Sequence, residues 1–149
     1  MDGSGGDGQA RIVVGVDGSD GSILALRWAA RQAEFTGVTL EVIVTWQYPT
    51  FYGWAPGYPD DLDLAGLAQQ ALNGALDEVF GPDRPARLRT RVIEGHAAQV
   101  LVEASAGADL LVVGSRGYGG LADAVLGSVS TFCVQHAHGP VTVIRPPSP

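Results

Sequence analysis

The segment from Gly114 to Ser128, GSRGYGGLADAVLGS, contains the residue types best suited to holding a phosphate group. Its spacing is Gly114-x-x-Gly117, then nine residues, then Gly127-Ser128. Glycine lets backbone N–H groups approach an anion closely and adopts positive φ at little cost. The segment follows the apolar run ADLLVV and precedes a helical pattern. It therefore predicts a phosphate-binding loop between a buried strand and a helix.

The first turn of the following helix is predicted to supply further donors. Unpaired N–H groups of Gly127, Ser128 and Val129, together with the positive end of the helix dipole, would face the anion. The hydroxyls of Ser128 and Ser130 add two side-chain donors. Arg116 is the only cationic side chain in the loop. It either reaches a phosphate or lies on the solvated surface.

Lysine is absent from the whole chain, and all nine cationic side chains are arginines. This excludes Schiff-base chemistry, a lysine general base and the P-loop pattern G-x-x-x-x-G-K-S/T. Backbone donors can replace that lysine for binding, but not easily for stabilising charge on a transferred phosphoryl group. A divalent ion, Mg²⁺, would have to neutralise most of the phosphate charge. The site therefore favours binding over fast turnover.

Asp17 ends the first apolar run, RIVVGVDGS, between Gly15 and Gly18. A carboxylate at the end of a strand can face a ligand, or it can simply cap the next helix. Ser19 and Asp20 are the other candidate caps. A ligand-binding role and a capping role both remain open at this position.

Apolar runs and helical patterns alternate along the chain as β-α-β-α-β-α-β-α-β, which indicates right-handed βαβ units and a parallel sheet between two helix layers. Ligands of such sheets bind beyond the carboxyl ends of the strands. Three places qualify: 16–19, 45–48 and 114–128. The predicted strands are RIVVGVDGS, VTLEVIVTW, LRTRVIEG, ADLLVVGS and VTVIRP. The predicted helices are SDGSILALRWAARQAEFTG, the apolar stripe from Leu64 to Val79, AAQVLVEASAG and SVSTFCVQHAHG.

The domain organisation follows from composition. Residues 1–10 are glycine-rich and polar and are predicted to be disordered, residues 11–146 form one domain, and residues 147–149 form a tail. The segment 47–63 holds three prolines and five aromatic residues. It is predicted to be a loop, serving either as a lid over a ligand or as variable surface.

The charge balance bears on possible partners and location. The net charge of −7 argues against nucleic acid and anionic membranes, both of which favour basic surfaces. No apolar run approaches the roughly 20 residues that span a bilayer, and the N-terminus lacks the pattern of a signal peptide. The single cysteine, Cys133, excludes an internal disulfide and favours a reducing cytoplasmic setting.

Other chemically capable residues give weaker signals. Cys133 and His136 share a helix face at the spacing of a zinc pair, but no second matching pair accompanies them. Cys133 is instead predicted to be a small core residue, and His136 and His138 suit a helix C-terminus. Asp123 either orients water for slow hydrolysis or lies on the loop surface.

The chain resembles the universal stress protein family, in its ATP-binding branch. The fingerprint G-x-x-G-(nine residues)-G-S/T is matched by GSRGYGGLADAVLGS, and the resemblance extends from Arg11 to Arg145. It implies an α/β, Rossmann-like single domain. The expected sheet is open, five-stranded and parallel, in the order 3-2-1-4-5, with helices on both faces. It also implies a homodimer that forms through the edge strand Val141–Arg145, and an unpaired edge of this kind tends to find a partner.

The resemblance implies that Asp17 contacts the ribose or the metal, with Gly15, Val16 and the backbone of Trp46 against adenine. The Trp46 side chain could pack on the base or point into a helix layer. For the phosphates, the resemblance implies contacts from Gly114, Gly117, Gly127 and Ser128, with Ser130 near the terminal phosphate.

These features predict an ATP- and Mg²⁺-binding regulatory protein that hydrolyses ATP slowly at most. Three alternatives remain: an interaction module without nucleotide, a true nucleotide-dependent enzyme, and a protein that prefers cyclic AMP. The cyclic AMP alternative ranks lower because the loop suits a longer polyphosphate tail.

Overall fold

The computed structural model describes residues 9–48, 63–116 and 126–147. Strands and helices alternate throughout these ranges, as the sequence predicts. Their bounds are β1 Arg11–Gly15, α1 Asp20–Thr36, β2 Thr39–Trp46, α2 Leu64–Phe80, β3 Leu88–Glu94, α3 Ala97–Ala104, β4 Leu110–Gly114, α4 Ser128–His136 and β5 Val141–Ile144.

The five strands form one parallel sheet in the order β3-β2-β1-β4-β5, which confirms the predicted fold class. β1 lies at the centre, where Val13 is paired with Glu41 of β2 on one side and Leu111 of β4 on the other. β3 and β5 are the edges. Because every connection crosses through a helix, all five strands end at the same edge of the sheet.

Helices cover both faces of the sheet. α1 and α2 pack on one face, where Leu26, Leu72 and Val14 are fully buried. α3 and α4 pack on the other, around Leu101, Leu111 and Cys133. The continuous apolar runs of β1 and β4 are explained by this arrangement, since a strand covered on both faces has no polar side.

The predicted helix ends are largely confirmed. Ser19 is the N-cap of α1, and its side chain accepts a hydrogen bond from the N–H of Ser22. Gly37 ends α1 in the left-handed conformation with φ 77°, and Gly81 ends α2 with φ 60°. Only glycine adopts these backbone angles without strain.

Two helices are shorter than the sequence predicts. α3 ends at Ala104 instead of continuing to Gly107, because residues 105–107 tighten into turns and the Ser105 hydroxyl donates to the Val102 carbonyl. α4 ends at His136, because Ala137 is extended. The N–H of His138 then donates to Ser105 Oγ at 2.9 Å, which joins the two helix ends.

A buried charge cluster lies towards the amino-terminal ends of the strands, away from the edge at which the strands end. Glu41 is 1% exposed and accepts from Arg11 at 3.0 Å and from Arg91 at 3.2 Å, with Arg89 at 3.9 Å. Arg11 is itself buried and donates to the carbonyls of Ala104 and Ala106. A buried carboxylate requires such partners, because an unpaired buried charge is strongly destabilising.

Several predictions concern residues outside the described ranges. They are the disorder of most of residues 1–10, the loop role of residues 49–62, and the roles of Gly117 and Asp123. Within the described ranges, none of the helices combines the length and apolar character needed to cross a bilayer.

Candidate phosphate and nucleotide site

The predicted site residues gather at the carboxyl edge of the sheet, where the strand order reverses. β1 and β4 are neighbours at the centre, and the chain leaves β1 towards α1 and β4 towards α4, on opposite faces. Diverging connections of this kind leave a crevice between them. The described residues that the sequence assigns to phosphate or ribose all lie at this divergence.

The turn from β1 into α1 is built around Asp17. Gly18 takes φ 85°, which turns the chain back sharply. Oδ1 of Asp17 then accepts hydrogen bonds from both the N–H and the hydroxyl of Ser19. Ser19 in turn caps α1, so Asp17 supports the cap without being the cap itself. Its side chain remains exposed at the crevice.

Gly114 is required by packing. A Cβ built on Gly114 would lie 2.8 Å from the carbonyl oxygen of Gly21, in the first turn of α1, and 2.9 Å from its carbon. A Cβ on Gly21 would in turn lie 2.6 Å from the carbonyl oxygen of Arg116. Two glycines thus let the start of α1 and the end of β4 touch backbone to backbone. Gly114 serves this contact without needing positive φ.

Ser115 joins three elements at the base of the loop. Its N–H donates to the Ile144 carbonyl at the end of β5. Its carbonyl accepts from the N–H of Gly127 at 2.5 Å and lies 2.9 Å from the hydroxyl of Ser130. Ser115 and Ser130 are each 2% exposed. Both ends of the glycine-rich segment are therefore held together by hydrogen bonds.

The first turn of α4 faces the crevice without a side-chain cap. Gly127 occupies the cap position with extended backbone angles, φ −78° and ψ 175°, and no acidic residue follows in the first turn. Ser128 is exposed, whereas Val129 packs partly into the core around Cys133. The first N–H groups of a helix have no intrahelical partner, and an anion can accept from them.

The Ser130 hydroxyl has a structural role. It lies 2.9 Å from the Ser115 carbonyl and 3.1 Å from the Gly127 carbonyl. One hydroxyl donates a single hydrogen, so the two carbonyls share it. The residue thereby fixes the start of α4 against the end of β4.

The residues assigned to adenine lie along β1 and β2. Val16 is buried, and its N–H donates to the Ile43 carbonyl at 2.9 Å. A Cβ on Gly15 would meet the end of the Leu101 side chain at 2.6 Å, so α3 approaches the backbone closely there. Trp46 packs against the core beneath α1 and α2, and its ring meets Tyr48 edge-on at 5.6 Å. Of the two orientations open from the sequence, the Trp46 side chain thus points into the helix layer.

Arg116 directly follows Ser115, and its side chain is half-buried. Its backbone carbonyl is the atom that approaches Gly21. The close approach therefore fixes the backbone of Arg116 beside the first turn of α1, at the mouth of the crevice.

The described residues fit a phosphate-bound metal better than a protein cage. They include no group of three or more histidine, cysteine, aspartate or glutamate side chains that could hold an ion. Mg²⁺ commonly keeps several waters and binds through one or two carboxylates plus substrate phosphates. Asp17, as a single exposed carboxylate at the crevice, suits that mode.

Cys133 and His136 do not form the zinc pair that their spacing raised as an alternative. Cys133 is 0% exposed within the core, as predicted, and burial raises the pKa of its thiol to about 11. His136 is exposed, and its ring lies 4.3 Å from that of Phe132. The two side chains therefore occupy opposite environments.

Sequence reasoning missed two residues of this site. Gly21 was overlooked because many residue types are tolerated in the first turn of a helix, so a glycine there does not by itself indicate a close contact. The available signal was the motif DGSDG, which places two glycines within five residues. Ser115 was treated as part of the strand, yet its carbonyl takes two donors. A small polar residue between a buried strand and a glycine was the available signal.

A central parallel sheet with helices on both faces and connections that diverge at its switch point defines a doubly wound α/β protein. The model of the universal stress protein family matches residues 10–145. The chain belongs to the universal stress protein family.

Curated relatives agree with this assignment. The universal stress protein Rv1996 of Mycobacterium tuberculosis is 37% identical over 149 residues, covering 89% of this chain and 47% of the relative. Rv2624c of the same organism is 35% identical, covering 97% of this chain and 52% of the relative. The chain thus spans about half the length of the curated relatives that it matches.

Solved structures show the same fold. UspA from Lactobacillus plantarum has a TM-score of 0.74 at 23% identity, covering 92% of this chain and 98% of that one. A universal stress protein in complex with cAMP has a TM-score of 0.68 at 26% identity, covering 93% of this chain and 98% of that one.

Proposed function

We propose that this protein binds ATP with Mg²⁺ at the carboxyl edge of the sheet. We further propose that it acts as a regulatory nucleotide holder that hydrolyses ATP slowly at most. Under this proposal Gly114, Arg116, Gly117, Gly127 and Ser128 surround the phosphates. Asp17 contacts the ribose or the metal, and Gly15, Val16 and the Trp46 backbone line the adenine.

The observation that carries the proposal is the uncapped start of α4. Gly127 lacks a capping side chain, Ser128 is exposed, and both follow a segment whose base is held closed through Ser115. The exposed carboxylate of Asp17 lies across the same divergence of the chain. Backbone donors on one side and a metal- or ribose-binding carboxylate on the other are complementary to a nucleotide.

A relative supports an adenine nucleotide as the ligand class. One universal stress protein, 26% identical to this chain, has been solved in complex with cAMP. We favour ATP over cyclic AMP here because a segment of nine residues between Gly117 and Gly127 can follow a chain of phosphates. Competition between ATP and cyclic AMP for the same site measures this preference directly.

Slow hydrolysis follows from the cations available. The whole chain lacks lysine, so no lysine ammonium group can stabilise the negative charge that develops on a transferred phosphoryl group. Arg116 is the only cation within the loop sequence. Turnover below about once per minute is the expected result, against the roughly 1–100 per second of kinases.

We also propose a cytoplasmic homodimer formed through β5. This strand is at an edge of the sheet, pairs with β4 on its inner side, and has four half-buried residues. Pairing with the same strand of a second copy would bury that edge in a two-fold interface. A single, buried cysteine requires no oxidising compartment.

Isothermal titration of the purified protein with ATP and Mg²⁺ tests the proposal, after any copurified nucleotide has been removed and identified. The decisive variant is Ser128→Glu. A carboxylate in the first turn of a helix interacts favourably with the helix dipole, so the fold should be retained. Its negative charge nevertheless repels a phosphate bound at the same place. ATP affinity is expected to fall by at least about tenfold, the effect of losing one charge-assisted contact.

Gln99→Glu is the matched control, because Gln99 is exposed in the first turn of α3 at the same edge of the sheet. It adds the same charge near another helix start and should leave ATP affinity unchanged. Absence of ATP binding at millimolar concentration by the folded wild-type protein would reject the proposal. Equal losses in both variants would instead indicate a general charge effect.

A further inference from the structure

We infer that a groove at the amino-terminal edge of the sheet receives Phe35 from a second copy of this chain. The contact would be a two-fold interface separate from β5. It involves none of the residues assigned to the nucleotide.

The groove lies between the last turns of α1 and α2 and has a volume of about 640 Å³. Its apolar lining comes from three directions. Ala30 and Ala33 belong to α1, Leu40 to β2, and Val79 and Phe80 to α2. A space of this size is well above the volume of one aromatic ring, so it can accept a large side chain.

Phe35 is the most exposed large apolar side chain among the described residues, at 89%. It lies in the last turn of α1, and both Glu34 and Gly37 line the groove. Phe35 itself does not line the groove, but it lies one helical turn after Arg31, which does, so the two side chains are neighbours on the surface of α1 and the ring is expected beside the rim. Leaving a phenylalanine ring in water forfeits the burial of roughly 150–250 Å².

A protrusion beside a hollow is self-complementary under a two-fold axis. If the axis passes between Phe35 and the groove, each copy inserts its ring into the groove of the other. One rotation satisfies both contacts, and no further copies can add to the same surface. The interface is therefore closed.

The charges on the rim suit another copy of the same surface. Three arginines and two carboxylates belong to the lining: Arg27, Arg31, Arg87, Glu34 and Asp83. A rim of one sign would repel its own copy, whereas a mixed rim can place an arginine of one copy opposite a carboxylate of the other.

The arginines also argue against an anionic small molecule as the occupant. Arg87 donates to the Gly37 carbonyl at 2.6 Å, and Arg27 donates to the Glu78 carbonyl at 3.3 Å. Both arginines thus donate to carbonyl groups near helix C-termini, where the helix dipole favours positive charge. Two of the three arginines of the lining are therefore engaged within the chain, and the buried part of the lining, Ala33 and Leu40, is apolar.

The expected association is modest. Two inserted rings bury roughly 300–500 Å² of aromatic surface. Stable interfaces bury about 1,200–2,000 Å² in total, so the surrounding rim has to supply the rest. We therefore expect dissociation in the micromolar range, with the two rings as the dominant contributions.

Sedimentation equilibrium of the full chain at tens of micromolar tests the inference. Phe35→Ser removes the ring, and Ala86→Glu places a carboxylate on the exposed wall of the groove. Each variant should raise the dissociation constant of this contact by at least about tenfold. Leu67→Ser is the matched control, since Leu67 is 52% exposed on α2 but does not line the groove.

Mixing the two variants gives the sharpest result. The Phe35→Ser copy keeps an open groove and the Ala86→Glu copy keeps its ring, so their mixture regains one of the two contacts. The mixture should associate more tightly than either variant alone.

Several outcomes overturn the inference: a wild-type chain that is monomeric, a Phe35→Ser variant that associates like Leu67→Ser, or a mixture no tighter than its components. A wild-type tetramer that Phe35→Ser reduces to a dimer supports the groove alongside the β5 interface. A wild-type dimer that Phe35→Ser reduces to a monomer supports the groove and rejects β5.

Discussion

Two helices, α1 and α4, begin at the same crevice, yet their first turns are built in opposite ways. α1 begins with Ser19 as a side-chain cap and Asp20 as an acidic residue in its first turn. α4 begins with Gly127, which offers no capping side chain, and has no acidic residue in its first turn. Ser19 caps one N–H group of α1 and Asp20 complements its dipole, whereas Gly127 offers no side-chain acceptor to the N–H groups of α4.

The N-termini of α1 and α4 also differ in how they are attached to the rest of the fold. The start of α1 is fastened to Asp17 on one side, through Ser19, and packs against β4 on the other, through Gly21 and Gly114. Among the residues that the structure describes, Ser115 and Ser130 hold the start of α4 against the end of β4. Under the proposed function, α1 forms the fixed side of the crevice and α4 supplies the donors for the phosphates.

The largest effect is expected at the contact that holds the fixed side of the crevice. Gly114→Val places a branched side chain within 2.8 Å of the Gly21 carbonyl oxygen, and neither backbone can yield cheaply. We expect a loss of about 3 kcal/mol or more in the free energy of unfolding. Urea denaturation measures it. A variant of near wild-type stability would show that α1 and β4 can separate, and the distinction between the fixed side and the phosphate-binding side would fail.

Gly127→Ser should convert the start of α4 into a copy of the start of α1. A serine at this position can accept from N–H groups of the first turn and so compete with phosphate for the same donors. We expect about a tenfold loss of ATP affinity, with stability changed by only a few tenths of a kcal/mol. Calorimetric titration and thermal unfolding measure the two quantities. Unchanged affinity in a folded variant would place the phosphates elsewhere.

The reciprocal change, Ser19→Ala, should affect stability first. It removes the cap of α1 and one of the two hydrogen bonds to Asp17 Oδ1, which costs about 1 kcal/mol. We expect a smaller loss of ATP affinity than in Gly127→Ser, through the reorientation of Asp17 alone. Measuring both variants under one set of conditions compares the two helix starts directly. A larger affinity loss in Ser19→Ala would reverse the roles of the two helices.

Local patterns were enough to predict most of the framework. Ser19, Gly37 and Gly81 mark helix ends through chemistry that depends on a few neighbouring residues. The continuous apolar runs of β1 and β4 indicate strands buried on both faces. The position of Cys133 in the core follows from its small apolar character. The strand order came from the family resemblance, since alternation alone does not fix it.

Contacts between distant segments could not be predicted in the same way. The approach of Gly21 to Gly114 depends on the distance between a helix and a strand more than ninety residues apart in sequence. The pairing of Glu41 with Arg11 and Arg91 requires the register of three strands. The orientation of Trp46 was open because β2 is covered on both faces, so polarity does not distinguish one side of the strand from the other.

The buried cluster at Arg11 also bears on the order in which the chain can fold as it is synthesised. Within this domain β1 is made before the other four strands, but it lies at the centre of the sheet and has β4 as its second neighbour. The guanidinium of Arg11 needs Glu41 from β2 and the carbonyls of Ala104 and Ala106 from the end of α3. A nascent chain that stops before α3 therefore contains Glu41 but lacks the two carbonyl acceptors of Arg11, and its central strand has one unpaired edge. Such a species is exposed to aggregation until the second half of the domain leaves the ribosome.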